Sequence, residues 1–336
     1  MPTTIDSTMP ERFFPVGLRG MQRAGDQPRE WWLHWILRIA VASTFIGHGA
    51  FGIRGKEAWL DYYAIFGIPA GVGTDLMPLT GAVDIALGLL VLVVPMRSVL
   101  LYMAFWGLFT ATLRPLAGQG VFELVERSYN FGPALALLLL HGWGNSLREW
   151  FLPLRSVPRL SRDRARSFAL AFRVIIAAYL IAHGALALVM EKALLLDLYG
   201  SLGVGDAAAL NDVAGLFEIG LGALLLLDRA ARTTVLLFVV AWKLGTESLY
   251  ITHGAPGAGW EVIERGGSYA APLALICLNS IVERRPPGVA NDARGSTHVR
   301  HRSIRDRLPG QGEAITSYAT RLVRRSPRGG ALTRQG

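Results

Sequence analysis

FIGHGAFGIRGKEAWLDYYAIFG, residues 45–67, and LIAHGALALVMEKALLLDLYGSLG, residues 180–203, are two versions of one passage. Each closes an apolar run with His-Gly-Ala and then turns polar through a Lys, an Asp, a Tyr and a Gly in the same order. His48 and His183 stand 135 residues apart; Lys56, Asp61, Tyr63 and Gly67 precede Lys192, Asp197, Tyr199 and Gly203 by 136. Downstream the register persists. Gly81, Asp84, Ile85 and Gly88 match Gly215, Glu218, Ile219 and Gly222 at 134, and Trp106, Leu108, Thr110 and Leu113 match Trp242, Leu244, Thr246 and Leu249 at 136. Glu123, Glu126 and Arg127 match Glu261, Glu264 and Arg265 at 138, and Pro133 matches Pro272 at 139. Five blocks that drift by so few residues mark a duplicated unit.

Around these blocks the chain is apolar in long stretches. Hydrophobic residues make up 51% and charged residues 18% of the 336, a balance that belongs in lipid rather than water. A bilayer core about 30 Å thick needs roughly 20 mainly apolar residues per helical span. Eight segments qualify or nearly qualify: 31–52, 76–95, 97–115, 130–147, 168–190, 211–228, 231–251 and 269–283. The fourth and eighth have short apolar stretches and begin in loops rich in Gly, Ser or Pro. The expected fold is therefore all-α: a polytopic membrane protein of about eight transmembrane helices in two tandem four-helix bundles. Its parts are an N-terminal segment (1–30), a first membrane unit (31–147), a basic linker (148–167), a second unit (168–283) and a basic tail (284–336). An even number of spans per unit gives both copies the same orientation, so a pseudo-symmetry axis would run along the membrane normal.

Arginine sets the orientation. Arg12, Arg19, Arg23 and Arg29 precede the first span, Arg97 joins the second to the third, and Arg148, Arg155, Arg159, Arg162, Arg164 and Arg166 fill the linker. Arg229 and Arg232 follow the sixth span, and Arg284 and Arg285 open the tail. All face the cytoplasm if both termini do, which places the chain in the cytoplasmic (inner) membrane. The net charge of +9 is then an affinity for anionic membrane lipids rather than for nucleic acid. The tail is expected to be disordered or loosely bound to headgroups. No apolar run with a cleavage site precedes Trp31, so no removable signal peptide is expected. The single cysteine, Cys277, excludes an intramolecular disulfide.

Charged residues within spans mark the candidate chemistry, since each costs at least ~2.5 kcal/mol at the centre of a membrane helix. Threading the first unit through a bilayer brings His48, Asp84, Arg114, Glu123, Glu126 and Arg127 toward the outer side; His183, Glu218, Glu261, Glu264 and Arg265 repeat the arrangement, with Tyr250 in place of Arg114. Each half would then hold an outward-facing polar pocket. In Glu-x-x-Glu-Arg the two glutamates share a helix face and Arg127 is expected to turn aside. Asp84 and Glu218 either serve that pocket or pair with Arg127, Arg265 or a backbone amide to fix packing. Lys243 and Glu247, four residues apart on one face, are expected to neutralise each other; they match Gly107 and Ala111 and so break the repeat. The histidines read either as interfacial hydrogen-bonding residues or as ligands, and His141 meets Ser280, which argues against a symmetrical haem or metal site; no metal is expected. Trp106 and Trp242 read as packing residues, and Gly81, Gly88, Gly215, Gly220 and Gly222 as points of close helix approach. Walker, HExxH and GxSxG motifs are absent from the sequence.

His-Gly-Ala at the end of the first span, the Lys/Asp/Tyr/Gly segment, Gly-x-x-Asp/Glu-Ile, and Glu-Arg with Pro six or seven residues on together resemble the DoxX-like membrane proteins, over roughly 36–142 and 172–281. The resemblance implies a membrane subunit associated with a redox system, as in a thiosulfate:quinone oxidoreductase, with a quinone as the cofactor to expect and a redox partner subunit beside it. It supplies no catalytic residues, and the fusion of two units in one chain departs from it. Two further readings follow from the residues: a proton-coupled transporter or channel for a small solute or anion, built on parallel repeats with Asp84, Glu218, Lys243 and Glu247 inside spans, and a membrane assembly or scaffold factor.

Overall fold

The computed structural model describes residues 27–283 apart from 204, 228–230 and 255. The N-terminal segment before residue 27, Arg229, and the tail from residue 284 lie outside the described residues, and with them the expectation of a disordered tail.

Among the described residues the chain is helical, with no strand beyond a single bridge between Met96 and Pro153. The first half comprises α1 (Arg29–Arg54), a 3-10 turn (Glu57–Trp59), α2 (Leu60–Ala64), α3 (Ala70–Val93), α4 (Arg97–Leu116), α5 (Val121–Glu126) and α6 (Ser128–His141). A short connecting helix α7 (Leu147–Trp150) follows. The second half comprises α8 (Arg162–Leu188), α9 (Ala193–Gly200), α10 (Ala207–Leu226), α11 (Thr233–His253), α12 (Ala258–Glu264) and α13 (Gly266–Val282). Local chemistry sets several of these boundaries. Gly55 ends α1 at φ 73°, in the left-handed region that glycine enters without steric cost. Asp206 caps α10 by accepting from the Ala209 amide at 3.0 Å. Ser161 caps α8 through the Arg164 amide, so α8 starts six residues before the expected 168 and absorbs Arg162, Arg164 and Arg166 into its first turns. Apolar counting misses that start because arginine is a good helix former yet ends an apolar window.

Among the described residues six helices are long and apolar enough to cross a membrane: α1, α3, α4, α8, α10 and α11. These mark the chain as an integral membrane protein. The expected fourth and eighth spans form α6, of 14 residues, and α13, of 17, about 21 and 25 Å long at 1.5 Å per residue. In their most apolar stretches α1 and α8 are 67% and 50% buried, against 28% to 39% for the other four. The first two are therefore central, and the others carry the outward apolar surface, with Leu79, Val93, Phe105, Val213 and Leu216 all more than 60% exposed. An apolar face of that extent matches lipid rather than water.

Glycine governs the closest packing. A Cβ at Gly49 would fall 2.5 Å from the Gly81 carbonyl oxygen, and one at Gly184 would fall 2.4 Å from that of Gly215, so α1 meets α3 and α8 meets α10 backbone to backbone. Gly88 and Gly222 sit against Ala42 and Ala177 in the same way, whereas Gly220 faces open space and takes no part, contrary to expectation. Arg38, buried in α1, donates to the carbonyls of Val91 and Leu92 at the end of α3, where the helix leaves acceptors without partners. The halves also interlock: α1 packs on α12 and α13 as well as on α3 and α6, and α8 packs on α5 and α13 as well as on α10.

Candidate functional site

Both histidines of the repeated passage bind the carboxylate of the following long helix. His48 Nδ1 lies 2.8 Å from Asp84 Oδ2, and His183 Nδ1 contacts Glu218 Oε2. Each carboxylate is 1% exposed. The reason is geometric: the Gly49–Gly81 and Gly184–Gly215 contacts bring the two backbones together one turn away. Asp84 and Glu218 therefore do not pair with Arg127 or Arg265, as the sequence had allowed. Against an ionised carboxylate, which only accepts, the ring donates from Nδ1, leaving Nε2 as an acceptor in the neutral imidazole.

Beside His48 lies a cavity of about 160 Å³. Trp59 stacks on the His48 ring, with centroids 4.4 Å apart and planes at 26°. Tyr62, Tyr63 and Phe66 from the α2 region, and Trp106 and Phe109 from α4, complete an aromatic wall, with Arg114 also lining the space. A recess of about 10 Å³ continues inward between Thr44, His48, Trp106, Gly107 and Asn130. Three buried polar atoms here have no hydrogen-bond partner among the described residues: Thr44 Oγ1, Trp106 Nε1 and Asn130 Oδ1. Unanswered buried groups are costly, and their convergence on one small space is what a ligand site looks like. The sequence reads Trp106 as a packing residue and gives no signal at Thr44. The available signal was that Trp106 repeats as Trp242 while its neighbour Gly107 does not repeat.

The second half differs. Trp242 Nε1 donates to Glu218 Oε1 at 2.8 Å, and Lys243 Nζ lies 3.2 Å from the same oxygen and 3.2 Å from Glu247 Oε1. Lys243 and Glu247 do pair as expected, but within a longer chain. Glu247 Oε2 is 2.8 Å from Arg265 Nε, Arg265 also binds Glu261 and the Tyr250 hydroxyl, and Glu261 Oε1 is 2.8 Å from Lys56 Nζ.

Most of the candidate polar residues thus join one ionic layer shared by the two halves, because α12 packs on α1 and α5 packs on α8. Lys192 of the second half binds Glu123 of the first, which also meets Arg114 at 3.1 Å. Arg127 is not turned aside: it is 4% exposed, with Nε 3.1 Å from Glu126 Oε2 and Nη1 3.5 Å from Glu264 Oε1. A low-dielectric interior tolerates such groups only when paired. Seven carboxylates face six Lys and Arg side chains here, and among them Asp84 alone lacks a Lys or Arg contact. His48 is its partner.

Outside the long helices the titrating groups follow this layout. Burial raises the Glu123 carboxyl, but Lys192, Arg127 and Arg114 outweigh it and hold the group below its ordinary value. Burial is likewise overcome at Glu126, where Arg127 and Arg265 bring the carboxyl down to about 2, and at Glu261, which Arg265 and Lys56 hold low. At Lys192 burial prevails over Glu123 and the ammonium titrates below its ordinary value.

His141, the remaining candidate, contacts His34 at 2.9 Å between ring nitrogens, about 21 Å along α1 from His48, and belongs to neither cluster. No three His, Cys, Asp or Glu side chains among the described residues converge to hold a metal ion. Comparison of the chain with protein-family models, curated proteins and solved structures finds no match.

Proposed function

We propose that the chain is a two-unit DoxX-like protein of the cytoplasmic (inner) membrane, with both termini cytoplasmic, whose first-half cavity receives the ring of a quinone within a membrane redox system. The observation that carries this reading is the His48–Asp84 pair beside an aromatic cavity with unanswered polar groups. A cavity near 150 Å³ holds a single six-membered ring, and this one is of that size. When bound, a quinone supplies two-electron, two-proton chemistry. The chain's own residues suit both forms of the ring: Trp106 Nε1 is a donor without a partner among the described residues and answers a carbonyl oxygen, while Asn130 Oδ1 can accept from a hydroxyl of the reduced ring. Trp59 and Phe109 line the space with aromatic surface. His48 Nε2 can take up a proton from a ring hydroxyl, and Asp84 holds the tautomer and stabilises the imidazolium that results. The same reading takes α6 and α13 as the fourth and eighth spans, with α5 and α12 as short re-entrant or interfacial helices on the outer side, which a membrane protein tolerates where protein surrounds them.

Purification with native lipids followed by mass spectrometry should recover a quinone, and calorimetric titration with a ubiquinone of one isoprene unit should show saturable binding. Trp106→Phe should weaken that binding about tenfold, the worth of one hydrogen bond. Absence of both retained quinone and saturable binding overturns the proposal. The ionic chain from Glu218 to Lys56 favours a second reading, a proton-coupled transporter; pH-dependent solute flux in proteoliposomes that Glu218→Gln abolishes would select it.

A further inference from the structure

We infer that the chain binds one ring ligand, in its first half only, because side chains of the second half close the equivalent site. The inference rests on the reading of the first-half cavity as a ring site, though not on the ring being a quinone. The repeat register places Thr44 opposite Tyr179, Gly107 opposite Lys243 and Ala111 opposite Glu247. Three small residues therefore border the cavity and its recess, and three large ones stand in the corresponding places.

Those three large residues fill the space around the second histidine pair. Lys243 is 0% exposed and Glu247 2%. The Lys243 ammonium lies 3.2 Å from Glu218 Oε1 and 5.2 Å from the centre of the Tyr179 ring. It thus has both a carboxylate and an aromatic face around it, with the chain supplying its own occupant.

The histidine-bound carboxylates differ in a matching way. Glu218 is one methylene longer than Asp84 and reaches His183, Trp242 and Lys243 together. Among the described residues Asp84 is bonded to His48 alone, and the Trp106 indole N–H that corresponds to Trp242 is left without a partner. An unanswered donor on one side and a satisfied one on the other is the difference expected between an open and a filled copy of a site. Gly107 has a further reason to stay small, since a Cβ there would come within 3.0 Å of the Asn130 carbonyl oxygen. Thr44, Gly107 and Ala111 are therefore the residues that decide which half binds.

The test is calorimetric titration of the full chain in detergent with two probes, phenol and a ubiquinone of one isoprene unit. One phenol per chain is expected, with Ala111→Leu and, independently, Thr44→Met weakening it at least tenfold while helical circular dichroism is unchanged. Two phenols per wild-type chain, or wild-type affinity in both filling variants, overturns the inference. Phenol binding at one per chain without quinone binding overturns the proposed function and leaves this inference standing. If neither probe binds the wild-type chain, both fall.

Discussion

Lys56 Nζ and Glu261 Oε1 meet at 2.8 Å across 205 residues of sequence. Lys192 makes the reciprocal contact with Glu123, so each half extends a lysine from the loop after its first helix to the short acidic helix of the other. The two halves are clasped by this exchange.

The two sides of the clasp should respond unequally to substitution. Glu123 is 4% exposed and holds both Arg114 and Lys192, whereas the Lys56 side chain is 29% exposed. Lys56→Ala should cost no more than the ~1 kcal/mol of an exposed pair. Glu123→Ala leaves two cations short of a partner and should approach the ~3 kcal/mol of a broken buried pair. Thermal unfolding in detergent, with a double-mutant cycle on each pair, measures both.

Lys243 offers the sharpest stability test. It is fully buried between Glu218 and Glu247, so Lys243→Met should destabilise by about 3 to 5 kcal/mol. Adding Glu218→Gln should recover part of the loss, because Lys243 is the Lys or Arg partner of Glu218 whereas Glu247 keeps Arg265. If Lys243→Met unfolds at the wild-type temperature, the buried ion chain is not a determinant of stability.

Glycine substitutions should separate by position. Gly81→Ala and Gly184→Ala force a methyl against a backbone oxygen across the helix interface and should lower the unfolding temperature. Gly220→Ala meets nothing within 4 Å and should be neutral or stabilising by up to ~1 kcal/mol, the helix-propensity gain.

Acid should loosen the clasp in a defined window. Glu123, Glu126 and Glu261 all titrate below the ordinary 4.5, so their folded forms release protons more readily than their unfolded forms. Their stabilising contribution is complete above pH 4.5 and is lost as the pH falls toward about 2, the value at Glu126. Unfolding temperature followed against pH should drop through this range, and Glu126→Gln should reduce the drop.

Much of this architecture is legible in the chain. Apolar run length finds all six long helices, though α3 and α8 each start six residues before the expected position, because a lipid environment imposes a minimum span. Matches at a near-constant interval name the polar residues that recur, and His48 with Asp84 and His183 with Glu218 are among them. Arg127 is the instructive failure: helix periodicity turns it away from Glu126, yet the chain turns at that residue between α5 and α6, and its side chain folds back into the ionic layer.

What the sequence by itself determines is what lies along one helix or recurs at a near-constant interval: the helical membrane character, the residues that match at that interval, and the mismatch at Gly107 and Lys243. The partners of Asp84 and Glu218, the lysine exchange, and the opening of a cavity beside one histidine are decided only by tertiary structure. They depend on how closely the Gly49–Gly81 and Gly184–Gly215 contacts let helices approach and on whether one methylene lets a carboxylate reach across. Contacts between distant segments at that precision leave no periodic trace in a single chain.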